Sequence, residues 1–565
     1  MVGKKNSNQT LDYQKKNRRK RVRTVLQLLF LLAIFGLLID VAIHNERYIE
    51  PDKSTWTNRD GFVALSYFGV SRSGTPTLIS RQQLDKHFDA LKEQGYETIS
   101  QEDILNFYYN KGTLPDKAIY LAFEDGRNDS SIFTQPLLEK YNYKATVMTY
   151  ANKFNKREFK FLQPKDLLEM RESGFWELGS NGYRLTYINI LDRFDQYLGV
   201  LDEEDFQDVQ AKSYTHYLMD FIRDENAIPI ENRSEMEARI DEDYRLMHDI
   251  YMEALGFVPR VYTIMHANAL YNGMNQLVDD ANDANIRENF QLHFNREGFA
   301  FNHKARDVYD LTRVQPAPHW SVNHLLMKLQ EDTKQKMNFF QGDADLAAEW
   351  ELVNGVAEFT GNKIILTSPW NAVGILYLKN SDTFDRDLTF RVTTDSVPEG
   401  KQSVYLRYDK QADTYVRIVV ESHQVSVVQK LAGEEEQVLS TAETAPTKQK
   451  QLEIKIDDNL VTVSNDRQVI LENIAVDAAL ASGGVALSAA PKVTIEEDQV
   501  LDDIYYKGQT IYDSVYYDIE IEASGENSGK DPERLFANSY NGFEKQVHQV
   551  KTLVDRVIDW TIATF

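Results

Sequence analysis

Acidic side chains stand at the ends of two apolar segments that lie far apart in the sequence. The run AIYLAFED ends in Glu124 and Asp125, and NFQLHF is followed within three residues by Glu297. Two carboxylates that face each other across about 5–10 Å can supply acid and base to a glycosidic bond without a metal. Glu124 with Glu297 is therefore the pair to test for such chemistry, and Asp125 is a further candidate catalytic carboxylate.

Other polar residues accompany apolar runs in the same way. Asn181 ends the run WELGSN and is followed by Arg184, His266 lies in RVYTIMHA, and Arg296 directly precedes Glu297. We predict that these residues, with Glu297, bind substrate. The sequence equally allows Arg184 and Arg296 to pair with the carboxylates in a structural network, since a buried carboxylate needs a compensating charge.

The elements that must position these residues lie between residues 58 and 332. FVALSYF, AIYLAFED, KATVMTY and WELGSN are typical of buried strands, whereas RQQLDKHFDALKEQG and EMEARIDEDYRLMHDIYMEAL are typical of amphipathic helices. Strand–helix alternation of this length predicts an α/β domain with a parallel sheet closed into a (β/α) barrel. Chemistry in such barrels takes place at the carboxyl ends of the strands.

A different pattern begins near residue 335. Segments such as DLTFRVTTD, TYVRIVVES and QLEIKID alternate apolar and polar residues with period two, and Asp457-Asp458-Asn459 is a hairpin signal between two of them. We predict an antiparallel β-sandwich over residues 335–522. Residues 523–565 are predicted to be a polar linker and a C-terminal amphipathic helix.

The N-terminus predicts a membrane anchor. Residues 1–23 hold nine Lys and Arg residues and one acid, and residues 24–43 are apolar apart from Gln27 and Asp40. Twenty helical residues rise about 30 Å, which is enough to cross a bilayer core. The basic tail should remain cytoplasmic and send the bulk of the chain outward, through a linker at residues 44–57. We therefore expect a single-pass protein of a bacterial cell membrane.

The amino-acid composition argues against one class of partner and two kinds of site. The chain has a net charge of −24 and no cysteine. An acidic body repels phosphate backbones, so nucleic acid is not an expected partner. Disulfides and zinc–thiolate sites are excluded.

Several of these pieces together resemble the polysaccharide deacetylase (NodB-homology) family over residues 60–330. The resemblance rests on LSYFGV, LISRQQLDKHFDALKEQGYETIS, LPDKAIYLAFEDGRND, YKATVMTY and FWELGSNGYRL, which stand in the family's order and spacing. It implies a deacetylase-like barrel that acts on a cell-envelope polysaccharide or exopolysaccharide.

The family's catalytic motifs are altered in this chain. Where the family has a Thr-Phe-Asp-Asp-Gly motif, residues 122–126 read AFEDG, so the resemblance implies that Glu124 replaces the general base and Asp125 matches a metal ligand. Where the family has Ser-His-x-x-x-His, residues 180–185 read SNGYRL, and both histidine ligands are missing. Asn181 and Leu185 occupy those positions. An amide oxygen is a poor transition-metal ligand, so we expect no cofactor, with Asp125 as the one weak contributor to a divalent metal site.

Three functions remain open at this stage. The first is a binding or scaffolding protein of a polysaccharide-synthesis complex in the membrane, with the metal lost. The second is a metal-independent enzyme that uses Glu124 and Asp125. The third is a deacetylase whose metal site is rebuilt from Asp125, Asn181 and a distant histidine, for which the candidates are His266, His293, His303, His319 and His324.

Two later features are also open. The segment 335–522 resembles concanavalin-like and laminin-G-like sandwiches, which bind glycans, bind proteins or brace a catalytic domain. Residues 186–232, which contain Tyr187, Tyr197, Tyr214 and Tyr217, could form either a lid over a glycan groove or an added packing layer on the barrel.

Overall fold

The structure is a computed structural model that describes residues 47–154, 159–206, 208–264, 274–384, 387–395, 400–491, 510–524 and 532–540, with a few isolated positions outside these ranges. The chain divides into two compact units, Met1–Ile49 and Glu50–Phe565, and the elements below belong to the second. Over the described positions, no helix has the length and apolar character needed to cross a membrane. The predicted span at residues 24–43 and most of the predicted C-terminal helix lie outside the described residues.

The first half of the second unit is a closed parallel barrel. Its main sheet has the strand order β13-β1-β5-β6-β7-β11-β12-β14, and a parallel bridge between Leu65 and Val314 joins β14 back to β1. The predicted (β/α) barrel is confirmed. The strands of this half are β1 Gly61–Tyr67, β2 Val70–Ser71, β3 Ile79–Ser80, β4 Glu97–Thr98, β5 Ala118–Phe123, β6 Ala145–Tyr150, β7 Trp176–Gly182, β8 Thr186–Asp192, β9 Tyr197–Asp202, β10 Ala211–His216, β11 Val261–Thr263, β12 Leu292–Glu297, β13 Phe301–His303 and β14 Leu311–Arg313.

Two helices of the barrel show clear capping chemistry, one at its start and one at its end. Ser80 accepts a hydrogen bond from the backbone N–H of Gln83 at the start of Arg81–Glu93, and Gly256, with φ +82°, ends Arg233–Leu255. The described helices of this half are Arg81–Glu93, Gln101–Tyr109, Asn128–Tyr141, Pro164–Glu172, Glu203–Phe206, Arg233–Leu255, Gln276–Asn289 and Val322–Thr333.

Strand β12 begins and ends later than the sequence suggests. The run NFQLHF predicts a strand over 289–294, whereas the structure has β12 at Leu292–Glu297. Arg296 and Glu297 are therefore strand residues. The difference arises because the first residues of the run complete the helix Gln276–Asn289, while Asn295 and Arg296 remain buried and so continue the strand.

The second half is the predicted antiparallel sandwich. One sheet has the order β15-β18-β28-β21-β22-β23-β24, the other has the order β16-β17-β29-β20-β25-β26-β27, and their inner faces enclose one apolar core. The hairpin at residues 457–459 is confirmed, because β25 ends at Asp457 and β26 begins at Leu460. The helix Ala344–Ala348 precedes the first strand.

The strands of the sandwich are β15 Trp350–Asn354, β16 Val356–Thr360, β17 Lys363–Thr367, β18 Gly374–Leu378, β19 Thr383–Phe384, β20 Asp387–Asp395, β21 Gly400–Asp409, β22 Thr414–Val420, β23 Gln424–Lys430, β24 Gln437–Glu443, β25 Gln449–Asp457, β26 Leu460–Asn465, β27 Gln468–Ala475, β28 Ser482–Pro491, β29 Asp513–Ser524 and β30 Glu533–Ala537.

The sandwich extends past residue 522, where the sequence predicts a linker. Strand β30 pairs with β29, and the Phe536 ring packs edge-on against Trp350 in the core. Five residues are too short a run for the period-two pattern to stand out beside the polar segment that precedes them.

Candidate functional site

The candidate site lies at the barrel mouth, by which we mean the carboxyl ends of β1, β5, β6, β7, β12 and β14. Glu124 and Asp125 directly follow the fully buried strand β5. Asp125 has φ +68° and Gly126 has φ +59°, so the chain turns sharply through the left-handed region. A Cβ atom on Gly126 would lie 2.7 Å from Thr149 Cγ2, which explains the glycine. Aspartate is one of the non-glycine residues that adopt this conformation most readily.

Glu124 is buried, and both of its carboxylate oxygens accept hydrogen bonds. Ser66 Oγ donates to Oε1 over 2.7 Å and Arg313 Nε donates to the same oxygen over 2.8 Å. Gln315 Nε2 donates to Oε2 over 2.9 Å. The side chain of Glu124 has no exposed surface, so a charged Glu124 depends on this network.

Arg313 joins the two carboxylates that the sequence suggested as an acid–base pair. Its Nη2 lies 3.1 Å from Glu297 Oε1, while its Nε holds Glu124. Burial alone would lower the pKa of Arg313, but Glu124 and Glu297 outweigh burial and raise it. The barrel therefore brings Glu124 and Glu297 to one arginine, with a buried positive charge between them.

Asp125 differs from its neighbour. Its side chain is buried, and its Oδ1 accepts no hydrogen bond from the residues that the structure describes. Burial, followed by the charges of Glu203 and Glu124, raises the pKa of Asp125 to about 7. The Asp125 carboxyl can thus hold a proton at neutral pH, whereas Glu124 is arranged as a paired carboxylate.

Asn181 is used to build the mouth. Its Oδ1 accepts the backbone N–H of Asp125 over 3.2 Å, and its Nδ2 donates to the carbonyl of Thr263 over 2.9 Å. Asn181 therefore links the ends of β5, β7 and β11. The two polar atoms of its side chain are occupied by the backbone.

The described residues do not fit the family's metal centre. Such a centre needs three converging protein ligands, and no group of three His, Asp or Glu side chains among the described residues has that geometry. Asp125 offers one carboxylate, the Asn181 amide oxygen already accepts the backbone N–H of Asp125, and Leu185 has no ligand atom in its side chain. The structure therefore gives no support to a site on these three positions, and the presence or absence of a cofactor stays a prediction.

The candidate histidines are dispersed. His293 is buried and its Nδ1 lies 3.1 Å from the carbonyl of Tyr309, while burial lowers its pKa to about 3. His324 lies 3.2 Å from Asp513 of the sandwich. His303 and His319 are exposed, and His266 lies outside the described residues.

A network of ion pairs exists at the barrel mouth, but the described contacts with Glu124 and Glu297 are made by Arg313. The sequence suggested that Arg184 and Arg296 pair with the mouth carboxylates. Arg184 instead lies 3.6 Å from Asp243, and Arg296 lies 2.9 Å from Asp310. Because β12 continues through Arg296, its guanidinium reaches the residue that precedes β14.

Two cavities flank the end of β5. The first, about 480 Å³, lies beside the ends of β6 and β7, and its lining includes Lys153, Tyr183, Arg184, Leu185 and Glu203. The second, about 310 Å³ and mainly apolar, lies beside the ends of β1 and β14. Its lining includes Tyr67, Phe68, Gln315, Pro316 and Pro318. The mouth thus offers both polar and aromatic surface on either side of Glu124 and Asp125.

Residues 186–216 pack on the mouth. They form the antiparallel sheet β10-β8-β9, and Tyr187 belongs to an apolar cluster with Tyr150, Leu185 and Ile190. This contact supports the packing-layer interpretation for Tyr187. Glu203, at the end of the same sheet, also lines the first cavity.

Sequence reasoning missed Arg313, Gln315, Lys153 and Glu203. Arg313 carries a usable signal, because an arginine inside the short apolar run LTRV needs a buried anion. Lys153 Nζ lies 3.1 Å from Glu203 Oε2, a pair fifty residues apart that no local pattern indicates.

The polysaccharide deacetylase family model matches residues 111–256. The poly-β-1,6-N-acetyl-D-glucosamine N-deacetylase of Staphylococcus aureus is 24% identical over 126 residues, which are 21% of this chain and 42% of that enzyme. The chain thus spans less than half the length of this curated relative. The deacetylase domain of BpsB from Bordetella bronchiseptica covers 47% of this chain and 98% of its own, at 17% identity and TM-score 0.35. The carbohydrate-binding module CBM66 from Bacillus subtilis covers 31% of this chain and 94% of its own, at 14% identity and TM-score 0.24.

Proposed function

Starting from the polysaccharide deacetylase domain that residues 111–256 match, we propose that this protein binds an exopolysaccharide at its barrel mouth and does not hydrolyse it through a metal. The observation that carries the proposal is the hydrogen bonding of Glu124, whose two oxygens accept three bonds from Ser66, Arg313 and Gln315.

A general base must direct a lone pair toward the proton that it removes. Glu124 stands where the resemblance implies that base, yet three of about four lone-pair positions on its oxygens already accept bonds from Ser66, Arg313 and Gln315. A metal would need ligands at positions 181 and 185, where the structure has an amide bound to the backbone and a leucine. Under this proposal, contacts that hold the barrel together take the place of both parts of the family's chemistry.

The proposed ligand is a polymer of N-acetylglucosamine. The Staphylococcus aureus relative is named for poly-β-1,6-N-acetyl-D-glucosamine, and the two cavities offer both hydrogen-bonding and aromatic surface. We further propose that residues 24–43 anchor the chain in the cell membrane, with the barrel outside. There it would meet the polysaccharide beside the membrane proteins that synthesise it.

The test uses the full chain in detergent with an oligosaccharide of β-1,6-linked N-acetylglucosamine. We expect binding by calorimetry and no acetate release above background, with or without added zinc. Tyr183→Ala, at the rim of the first cavity, should weaken binding, whereas Tyr109→Ala, on the exposed face of a barrel helix, should not. Zinc-dependent acetate release that is lost in Asp125→Asn would overturn the proposal.

Asp125 supports a second candidate, a metal-independent hydrolase. The pKa of the buried Asp125 carboxyl is about 7, and its Oδ1 accepts no hydrogen bond from the described residues. Such a carboxyl is suited to donate a proton to a leaving group. Under this proposal, oligosaccharide cleavage falls as pH rises through about 7 and disappears in Asp125→Asn. Glu204→Gln, which alters an exposed acid of the first cavity, should keep the activity. Absence of any cleaved product from wild type between pH 5 and 8 removes this candidate.

A further inference from the structure

A second groove lies on the outer face of one sandwich sheet. It has a volume of about 1010 Å³ and crosses strands β17, β29, β20, β25 and β26. We call it the sheet-face groove. Its lining residues are Thr360, Asn362, Lys363, Arg391, Val392, Thr393, Gln449, Gln451, Leu452, Glu453, Ser464, Arg467, Tyr517, Asp518, Glu520, Ser539 and Tyr540.

Strand register places the floor residues in a row. Lys363 pairs with Tyr517, Tyr517 with Thr393, and Thr393 with Gln451, so four neighbouring strands each contribute one residue. Neighbouring strands lie about 4.8 Å apart, which makes this row roughly 14 Å long. The row therefore presents an aromatic ring, a hydroxyl, an amide and an amine along a line as long as a short oligosaccharide.

The adjacent row of residues across the sheet forms a network of ion pairs around Arg391. Arg391 pairs across the sheet with Glu453 and Glu520, and its guanidinium lies 2.8 Å from Glu453 and 3.1 Å from Glu522. Tyr517 is fixed as well, because its hydroxyl donates to Asp395 over 2.8 Å. These contacts hold the ring of Tyr517 and the edge of the groove in place.

Several groove side chains have no such internal partner. Lys363, Thr393, Gln451, Ser464 and Arg467 make no side-chain hydrogen bond or ion pair with the residues that the structure describes. Together these side chains offer both hydrogen-bond donors and hydrogen-bond acceptors to a ligand. The charged residues of the lining balance, with Lys363, Arg391 and Arg467 against Glu453, Asp518 and Glu520. A neutral ligand rich in hydroxyl groups matches this surface better than an anion or a cation.

Arg467 is held over the groove by a strained turn. The two-residue loop between β26 and β27 has Asp466 at φ +50° and Arg467 at φ +68°. Both positions of such a turn have positive φ, and glycine or asparagine is preferred there. An arginine in this conformation costs free energy, and such strain is concentrated at ligand clamps.

We propose that the sheet-face groove is a saccharide-binding site for a neutral oligosaccharide that lies along the row from Lys363 to Gln451. Tyr517 stacks against a sugar face, while Thr393 and Gln451 exchange hydrogen bonds with hydroxyl groups. This site is separate from the barrel mouth, and its existence does not depend on the function proposed for the barrel.

The test measures binding of the full chain to three groups of oligosaccharides. The first group is neutral (β-1,6-linked N-acetylglucosamine, β-glucan and mannan fragments), the second cationic (glucosamine oligomers) and the third anionic (oligogalacturonate). We expect at least one neutral oligosaccharide to bind and its Kd to rise at least tenfold in Gln451→Leu and in Tyr517→Ala. Gln411→Leu, an exposed glutamine in a hairpin of the other sheet, and Tyr109→Ala, on an exposed helix face of the barrel, should leave that affinity unchanged.

Three results would overturn the inference: no binding of any neutral oligosaccharide at 10 mM, binding of charged oligosaccharides alone, or neutral binding that the groove substitutions do not weaken. If Tyr183→Ala alone reduces binding, the saccharide sits at the barrel mouth. That result supports the barrel proposal and removes the groove.

Discussion

The barrel mouth and the sheet-face groove are both rich in polar side chains, but they use them in opposite ways. At the mouth, Glu124 is buried and bonded to Arg313 and Gln315. In the groove, Gln451 is exposed and Thr393 half-buried, and neither has a side-chain partner among the described residues. Burial forces polar groups to satisfy one another, because an unpaired buried charge is very costly. Glu124 is therefore committed to its internal partners, whereas Gln451 and Thr393 keep their hydrogen-bonding capacity for a ligand.

Arg313→Met should have the largest effect on stability. It leaves Glu124 buried without its cation, and breaking a buried pair costs about 3–5 kcal/mol. Urea unfolding followed by tryptophan fluorescence measures the change. The double variant Glu124→Gln with Arg313→Met should recover part of the loss, because it removes the stranded charge. A loss below about 1 kcal/mol for Arg313→Met would mean that the mouth is no more dependent on pairing than the groove.

Asp125→Asn should change the pH dependence of stability. Since the folded pKa of Asp125 is about 7 and the unfolded value is near 4, the folded chain binds more protons between these values. The Asp125 carboxyl therefore contributes fully to stability below about pH 4, and that contribution is lost as pH rises through 7. Asparagine does not titrate, so the variant should gain about 2–4 kcal/mol over wild type at pH 8 and little at pH 4.

The same unfolding experiment at pH 4, 6 and 8 checks this expectation. Glu204→Gln serves as the exposed acidic control and should follow the wild-type curve. An unchanged difference between Asp125→Asn and wild type at all three pH values would contradict a raised pKa for Asp125.

Gly126→Ala should destabilise the mouth by about 1–3 kcal/mol, since it adds a side chain at positive φ. Its new Cβ would also lie 2.7 Å from Thr149 Cγ2. Gly95→Ala provides the matched control, because Gly95 has φ +85° and a Cβ atom added there would meet no heavy atom within 4 Å. In thermal unfolding, Gly126→Ala should have a lower Tm than Gly95→Ala. Combining Gly126→Ala with Thr149→Ser should reduce this difference in Tm. Equal effects at both glycines would contradict tight packing of the turn.

Gln451→Leu should have the smallest effect on stability, within about 0.5 kcal/mol, because an exposed side chain with no hydrogen-bond partner among the described residues contributes little. Thermal unfolding of the variant checks this value. Stability that falls as far as in Gly126→Ala would show that Gln451 braces the sheet, and the contrast between groove and mouth would then fail.

Local patterns in the sequence were sufficient to predict the barrel and the sandwich, although not the bounds of β12 or the presence of β30. Alternation of apolar strands with amphipathic helices predicted the barrel, and period-two alternation predicted the sandwich and the hairpin at residues 457–459; all three are confirmed. The turn after β5 also follows from its own residues, because a buried strand that ends in Glu124-Asp125-Gly126 must place both carboxylates at the strand end. These features are encoded locally, in side-chain periodicity and in the conformational freedom of glycine.

The partners of the polar side chains were decided only by the tertiary structure. Glu124 meets Arg313 across 189 residues because β14 closes the barrel against β1. Likewise, Lys363, Tyr517, Thr393 and Gln451 share one row only because the register of four strands aligns them. Periodicity states which face a residue occupies, but closure and register determine which distant residue shares that face. Closure and register therefore decide whether a polar side chain is buried in an internal hydrogen-bond network or remains able to bind a ligand.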